Sequence, residues 1–294
     1  MSATPPTPAR GATPPAGDRG ARALVLGTAQ DGGLPHAGCA CARCEGARAD
    51  PTRRRRVASI ALIGATGRTL LVDATPDLPD QLALLGAAAG RTARDLDGLV
   101  LTHAHMGHYV GLAWFGREAL HARGLPVHAT PRMIEFLARN RPWSHLFDRG
   151  EVVPRPLAPG VAFAFDGLEV VPFLSPHRAE DTDTIGLDVR GPRRRIVYVP
   201  DAYVFPPEVV ERIRGADVAL VDGTFLSPDE LPRSVTEVPH PFVRDSVVRL
   251  AGGQGRVSFT HVNHTNPLAD RGGAEATALP EGFDVAQDGD MIPL

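Results

Sequence analysis

The chain has 294 residues, enough for one large domain or two small ones without disulfide support. Its net charge of −3 argues against a protein that coats nucleic acid, so we expect no nucleic-acid partner. Apart from histidine, every basic residue is arginine, and the absence of lysine excludes mechanisms that depend on a Schiff-base or P-loop lysine. No stretch approaches the roughly 20 apolar residues of a membrane-spanning helix, so we expect no membrane association.

The N-terminal segment, residues 1–21, is rich in Pro, Ala, Gly and Thr, which predicts a disordered tail. The remainder, 22–294, is expected to form one domain. Short strands and helices alternate along it, with no Pro- or Ser-rich linker between them. This pattern predicts two sheets with helices outside them, an α/β fold. The predicted strands are 21–27, 57–63, 69–73, 96–102, 125–130, 168–174, 184–189, 196–199, 218–221 and 257–260, and the predicted helices are 77–89, 110–123, 131–140, 207–214 and 242–251.

Three cysteines, Cys39, Cys41 and Cys44, fall within six residues, and the chain has no others. Such close neighbours are poorly placed to bridge distant parts of a fold, so we expect no disulfide framework. A reduced, cytoplasmic setting fits this cysteine usage.

A histidine cluster directly follows the apolar strand that ends at Thr102. His103, His105 and His108 form an HxHxxH pattern. Imidazoles at alternate positions of a strand-to-helix turn can face one metal ion, and the third can reach a second ion across the turn. Three surface histidines are the alternative interpretation. Three of the 11 histidines within six residues at a strand end favour a metal site.

Other apolar strands of the sequence also end in polar residues. These are Asp73, His177, Asp201 and His261. Polar residues at the ends of several strands gather a site at one edge of a layered α/β protein. Each alone could be a turn, cap or loop residue, but together with the histidine cluster they indicate one site.

In type and order, these residues resemble the metallo-β-lactamase superfamily over about residues 22–294. Within it the chain looks most like the coenzyme PQQ synthesis protein B group and the phosphodiesterase of the carbon–phosphorus lyase pathway. Three segments carry this similarity: the CxCxxC run after a Gly-rich turn, VDGTF at 221–225 and THVNHTNP at 260–267. The resemblance implies a four-layer αββα sandwich with a two-metal site at the edge of its sheets.

The resemblance also implies roles for the strand-end residues, with Zn, Mn or Fe as the metal. Asp73 would orient ligands from behind the site. The implied ligands are His103, His105 and His177 for a first ion, His108 and His261 for a second, and Asp201 as the bridge between them.

The chain departs from the superfamily pattern at Gly107, where the superfamily usually has aspartate. Glycine offers no ligand, so the second ion should bind more weakly unless Asp181 or Asp183 supplies the carboxylate. A single-metal site is the open alternative.

The cysteine loop, residues 36–46, receives a structural role from the same resemblance. It implies a closed zinc site formed by Cys39, Cys41, Cys44 and His264, and three reduced thiols without metal are the alternative. The arginine run 53–56 is interpreted as a solvated loop, with RNA contact as a lesser alternative.

His240 corresponds in order to a histidine that protonates the leaving group in related phosphodiesterases. A surface histidine beside a helix is an equally open interpretation.

The expected activity is metal-dependent hydrolysis of a phosphodiester or small ester through a metal-bound hydroxide, with Asp201 holding it in line and His240 donating a proton. The similarity to the PQQ synthesis protein B group implies, as an alternative, an iron-dependent hydroxylase or oxygenase in PQQ biosynthesis. A non-catalytic carrier is disfavoured by the near-complete ligand set. We expect a small-molecule substrate, and a homodimer is compatible with the superfamily.

Overall fold

The computed structural model describes residues 20–92, 95–230 and 239–294. The tail predicted for 1–21 therefore lies, up to residue 19, outside the described residues. Within the described ranges, no helix is both long enough and apolar enough to cross a membrane.

A first sheet contains seven strands in the order β14-β1-β2-β3-β4-β5-β6. The strands from β14 to β3 pair antiparallel, whereas β3 to β6 pair parallel. Their bounds are β1 (Arg22–Gly27), β2 (Ser59–Ile63), β3 (Thr69–Val72), β4 (Leu96–Val100), β5 (Leu125–Ala129), β6 (Val152–Pro156) and β14 (Met291–Pro293).

The second sheet also contains seven strands, in the order β13-β12-β11-β10-β9-β8-β7. Strands β7 to β10 pair antiparallel and β10 to β13 pair parallel. Their bounds are β7 (Phe163–Phe165), β8 (Leu168–Leu174), β9 (Ile185–Arg190), β10 (Arg195–Val199), β11 (Val218–Asp222), β12 (Arg256–Thr260) and β13 (Phe283–Val285).

The α-helices pack on the outer faces of the two sheets. Apolar side chains of α2, α4 and α5 join the core on the first sheet, and those of α6 and α7 join the core on the second. The described α-helices are α1 (Ala42–Ala49), α2 (Leu78–Ala89), α3 (Met106–Tyr109), α4 (Pro131–Arg139), α5 (Trp143–Asp148), α6 (Pro207–Arg214), α7 (Val243–Leu250) and α8 (Ala274–Thr277).

Apolar side chains that point alternately to the two faces of a strand explain why the sheets are buried on both sides. Leu70 and Val72 of β3 pack between the sheets against residues such as Leu187 and Tyr198. Leu71, between them in sequence, packs against the helices of the first sheet. Successive side chains of a strand point to opposite faces. The predicted αββα sandwich is confirmed.

Several local predictions were wrong. The helix predicted over 110–123 is a 3₁₀ segment, Val110–Phe115, followed by turns. Gly111 packs so closely on the backbone of Ala74 that a Cβ there would lie 2.8 Å from its carbonyl oxygen, so tertiary packing sets this segment's path. Strand β6 was missed because Pro154 and Pro156 suit only an edge strand, which is where it lies.

The interpretation of the arginine run as a solvated loop is wrong for Arg55. Its side chain is only 2% exposed and donates hydrogen bonds to Thr28 Oγ1 and to the carbonyl oxygens of Ala269 and Ala286, each at 2.9 Å. Burial lowers the pKa of Arg55 to about 10. This arginine therefore joins the loop after β1 to two C-terminal segments.

Candidate metal centre

The site lies where strands of both sheets end, and one carboxylate oxygen is at its centre. Oδ2 of Asp201, which follows β10, has imidazole nitrogens around it at 3.1 to 3.9 Å. The parallel strands of each sheet bring their carboxyl ends to this edge, as the strand-end pattern predicted. The rings around the oxygen belong to His103, His105, His108, His177 and His261.

One group of potential ligands consists of His103, His105, His177 and Asp201. Asp201 Oδ2 lies 3.2 Å from His103 Nε2, 3.1 Å from His177 Nε2 and 3.5 Å from His105 Nδ1. Bond lengths of about 2.0–2.2 Å place tetrahedral nitrogen and oxygen ligands of one ion roughly 3.4 Å apart. The spacing therefore fits a single ion shared by these four groups.

The ring of His103 is held through its other nitrogen. Its Nδ1 lies 3.0 Å from Thr102 Oγ1, and that hydroxyl donates in turn to the buried Asp73 carboxylate. A hydroxyl that donates to Asp73 accepts from His103 Nδ1–H, which leaves the lone pair on His103 Nε2 facing the site.

The two histidines on the other side of Asp201 are fixed in the same way. His108 Nδ1 donates to Asp73 Oδ2 at 2.7 Å. His261 Nδ1 lies 2.9 Å from Thr224 Oγ1, which also contacts the His261 carbonyl oxygen. In each ring Nδ1 has a partner behind the site and Nε2 faces into it. Such partners orient metal-binding histidines and fix their tautomers.

Polar atoms at the centre of the site lack hydrogen-bond partners. Nε2 of His103, His108 and His261 and Oδ1 of Asp201 are buried with no such partner among the described residues. Leaving buried polar groups unpaired is costly, and most such groups in native proteins are satisfied. A set of unpaired lone pairs directed at common points is what a metal ion would satisfy, so the donor set fits one.

Within the first ligand group, the electrostatics favour the protonation states that a metal ion needs. Burial lowers the pKa of His103 well below its usual value and also lowers that of His177, so both rings are held neutral. Burial opposes ionisation of Asp201, but the His261 ring and the other imidazoles around the carboxylate outweigh it and hold its pKa well below the usual range. Metal binding requires neutral imidazoles and ionised carboxylates. At His108, by contrast, burial disfavours the charged ring but the Asp73 carboxylate outweighs it and raises the pKa to about 9, so an ion bound there must displace a proton.

Two residues of the site have backbones in the left-handed region, Asp73 (φ 66°) and His261 (φ 58°). Non-glycine residues adopt this region uncommonly, and such strain concentrates at functional sites. Here it turns the Asp73 carboxylate behind the ligands and the His261 ring toward Asp201.

A second group of potential ligands contains a residue that the sequence analysis did not single out. His108, His261 and Asp31 form it, with Asp31 in the loop after β1. The expected substitutes for the carboxylate missing at Gly107 are not there: Asp181 is exposed and Asp183 pairs with Arg132 at 3.1 Å.

His240 lies beside the ligand cluster but is held by a carboxylate of its own. Its Nδ1 is 2.8 Å from Asp222 Oδ2 and 3.5 Å from Asp201 Oδ1. Asp222 also accepts from the backbone N–H groups of Ala202 and Thr224. Although burial disfavours the charged ring, the Asp222 carboxylate raises the pKa of His240 to about 9. The ring is 5% exposed, which excludes the surface-histidine interpretation.

The cysteine cluster forms a separate group with His264, as expected. His264 Nδ1 lies 3.6, 3.8 and 3.7 Å from the sulfur atoms of Cys39, Cys41 and Cys44. Tetrahedral zinc bonds of about 2.3 Å to sulfur and 2.0–2.1 Å to nitrogen place these ligands roughly 3.6 Å apart. The four groups therefore fit a closed structural zinc site.

The loop predicted over 36–46 contains the start of α1, which the sequence analysis did not predict. Its low apolar content gave no helical pattern. Long-range hydrogen bonds hold this helix against residues 264–270: Arg43 donates to the carbonyl oxygens of His264 and Thr265 and to the Asp270 carboxylate.

Comparisons with known proteins agree with this architecture. Residues 68–278 match the family model described as the beta-lactamase superfamily domain. A coenzyme PQQ synthesis protein B of Cupriavidus taiwanensis is 32% identical, over 92% of this chain and 98% of that protein.

Two solved structures resemble the whole described fold. Zn²⁺-bound PqqB from Methylobacterium extorquens is 26% identical, with a TM-score of 0.82 over 93% of this chain and 100% of its own. A diphosphatase of the PhnP family is 25% identical, with a TM-score of 0.70 over 93% of this chain and 98% of its own. Together with the ligand clusters, these likenesses support divalent metal binding.

Proposed function

The chain belongs to the beta-lactamase superfamily, and we propose that it is a metal-dependent hydrolase that acts on a phosphodiester or a related small ester. The observation that carries this proposal is the His240–Asp222 pair. A carboxylate-bound imidazole lies 3.5 Å from Asp201 and outside the group of His103, His105, His177 and Asp201. His240 could also join Asp201, Asp222 and His261 around an ion, but its Nδ1 already binds the Asp222 carboxylate, which leaves Nε2 to serve as a proton donor. Breaking an ester bond to a poor leaving group requires a donor of this kind.

The metal would be held by His103, His105, His177 and Asp201. Asp73 and Thr102 would fix the orientation of the His103 ring. A divalent ion in such a site supplies Lewis-acid activation of water and of a phosphoryl or carbonyl oxygen. Oδ1 of Asp201 has no hydrogen-bond partner among the described residues and is free to orient an attacking water.

In this proposal His240 donates the proton that the leaving oxygen requires. Asp222 binds Nδ1–H, so the tautomer is fixed and the proton would be delivered from Nε2. The ring lies between His177 and His261, with centroid separations of 5.7 and 5.8 Å, so the donor is next to both ligand groups. The similarity to a diphosphatase of the PhnP family supports phosphoryl chemistry.

A second candidate function is a step in PQQ biosynthesis, with iron-dependent hydroxylation or oxygenation as its chemistry. The name of the relatives favours it, since a coenzyme PQQ synthesis protein B covers 92% of this chain. The two candidates differ in their need for dioxygen, which makes them experimentally separable.

The test is turnover of bis-p-nitrophenyl phosphate and of a 2′,3′-cyclic nucleotide by metal-free protein reconstituted with Zn²⁺, Mn²⁺ or Fe²⁺, with and without dioxygen. The matched variants are His103→Ala, which removes a potential ligand, and His145→Ala, which removes a half-buried histidine that belongs to none of the ligand groups. We expect oxygen-independent hydrolysis that a chelator abolishes, that His145→Ala retains and that His103→Ala loses.

Absence of hydrolysis with all three metals would overturn the hydrolase proposal. Iron-dependent oxygen consumption on a tyrosine-derived quinone precursor would establish the second candidate instead.

A further inference from the structure

We propose that Asp31 is the carboxylate ligand of a second metal ion, so that this chain holds a two-metal centre although position 107 is glycine. The carboxylate would come from the loop after β1 rather than from the histidine cluster itself. The inference rests on the metal centre of the proposed function, but it concerns ion binding and does not depend on which reaction is catalysed.

The distances support shared ligation of one ion. Oδ1 of Asp31 lies 3.5 Å from His108 Nε2 and 3.7 Å from His261 Nε2. These values approach the roughly 3.4 Å expected between nitrogen and oxygen ligands of one tetrahedral ion. Asp201 Oδ2 lies 3.9 Å from each of the same two nitrogens, so it can complete the group and bridge to the first ion.

The atoms that would bind this ion are otherwise unpaired. Asp31 Oδ1, His108 Nε2 and His261 Nε2 are all buried, and none has a hydrogen-bond partner among the described residues. Two histidine nitrogens and a carboxylate oxygen thus face one another. One divalent ion would satisfy all three at once.

Gly107 explains why the carboxylate can arrive from a different loop. A Cβ at position 107 would clash with Asp31 Oδ1 and would lie 2.8 Å from the Cα and Cγ atoms of Asp31. The Asp31 side chain therefore occupies the space that a side chain at 107 would need. A carboxylate at one position excludes a side chain at the other.

The loop that carries Asp31 is held at this edge by hydrogen bonds on both sides. Gln30 N–H donates to the carbonyl oxygen of Val262, next to the ligand His261, and the Gln30 side chain accepts from Asn263 at 3.0 Å. On the other side, Ala29 N–H donates to the carbonyl oxygen of Arg56 at 2.7 Å. The Asp31 carboxylate is thus presented by a fixed backbone.

The experiment measures metal equivalents per chain after reconstitution with Zn²⁺ and the dissociation constant of the most weakly bound ion. The variants are Asp31→Ala, the conservative Asp31→Asn, and the control Asp183→Ala, which removes the rival carboxylate. Wild type and Asp183→Ala should hold three equivalents, one of them in the cysteine site. Both Asp31 variants should hold two, or bind the last ion about 100-fold more weakly, beyond the effect typical of residues that only support a ligand.

Moving the aspartate from position 31 to position 107 provides a sharper test. Gly107→Asp alone should displace the Asp31 side chain. Asp31→Gly combined with Gly107→Asp removes the clash with that side chain, and after a small shift of the position-31 backbone it should recover the third equivalent. Circular dichroism on each variant confirms folding. Three tightly bound equivalents in a folded Asp31→Ala protein, or only two in wild type, would overturn the inference. Three equivalents without hydrolysis would support the Asp31 assignment while contradicting the proposed reaction.

Discussion

Asp73 accepts a hydrogen bond from His108 Nδ1 at 2.7 Å, and the same buried carboxylate accepts from the Thr102 hydroxyl that holds His103. One side chain therefore orients histidines from both ligand groups. Its position after β3 makes the first sheet, rather than the loop of the histidine cluster, the support for the rings.

Replacing this carboxylate by an amide should weaken metal binding without unfolding the protein. Asp73→Asn preserves the shape, and asparagine tolerates the left-handed backbone at this position. It removes the charge that fixes the His108 ring, so we expect metal affinity to fall by about 10–100-fold. Chelator competition measures the change. Asp97→Asn, at the opposite end of the same sheet, is the control, and equal affinities in the two variants would contradict the prediction.

The role of His240 can be tested with leaving groups of different basicity. His240→Asn should slow hydrolysis of alkyl phosphodiesters by roughly 10²–10⁴-fold, because their alkoxides need a proton, and should affect p-nitrophenyl esters much less. Asp222→Asn should shift rates in the same direction by disturbing the ring. Steady-state kinetics on both substrate classes provides the measurement. A uniform loss across leaving groups would indicate that His240 has another role.

The cysteine site should contribute stability rather than activity. Cys41→Ser replaces an exposed member of the cysteine group, so it would remove one potential ligand without opening a core cavity. We expect one fewer zinc equivalent and a Tm lower by about 5 °C. The control is His36→Ala, which removes a ring 4.5 Å from His264 that is not a ligand. Metal analysis and calorimetry test both effects, and unchanged zinc content in Cys41→Ser would contradict the assignment.

The buried arginine should matter more than its exposed neighbour. Arg55→Met leaves the carbonyl oxygens of Ala269 and Ala286 without their donor inside the protein. We expect the free energy of unfolding to fall by roughly 3 kcal/mol. Arg54→Met, in the same arginine run but exposed, should cost less than about 1 kcal/mol. Urea unfolding of the two variants gives the comparison, and similar midpoints would show that the buried hydrogen bonds contribute little.

The sequence predicted the sandwich and most strand ends because local patterns encode them. The apolar run before His103 and the similar run before Asp201 each place a polar side chain at the end of a buried strand. Such signals depend on neighbours in the chain. The prediction of a helix over 110–123 was wrong because the path of this segment depends on long-range contacts. Gly111 packs against the backbone of Ala74, which is distant in the sequence.

Asp31 could not be found from local pattern, because its loop has no ligand spacing and lies 76 positions from Gly107 in the sequence. The signal that was present is indirect. Strand β1 runs antiparallel to β2, and β2 runs antiparallel to β3, so β1 and β3 end at the same edge. Because position 107 lacks a carboxylate, an acidic residue in the loop after β1 is a candidate to replace it.

The potential ligands come from both sheets: His103 follows β4 in one, whereas Asp201 and His261 follow β10 and β12 in the other. An ion shared by these residues would act as a cross-link between the two halves of the sandwich. Its affinity should consequently report the spacing between the sheets. Repacking a buried inter-sheet residue such as Tyr198 is expected to change metal affinity without altering any ligand, and removing the ion should increase hydrogen exchange at the ends of these strands.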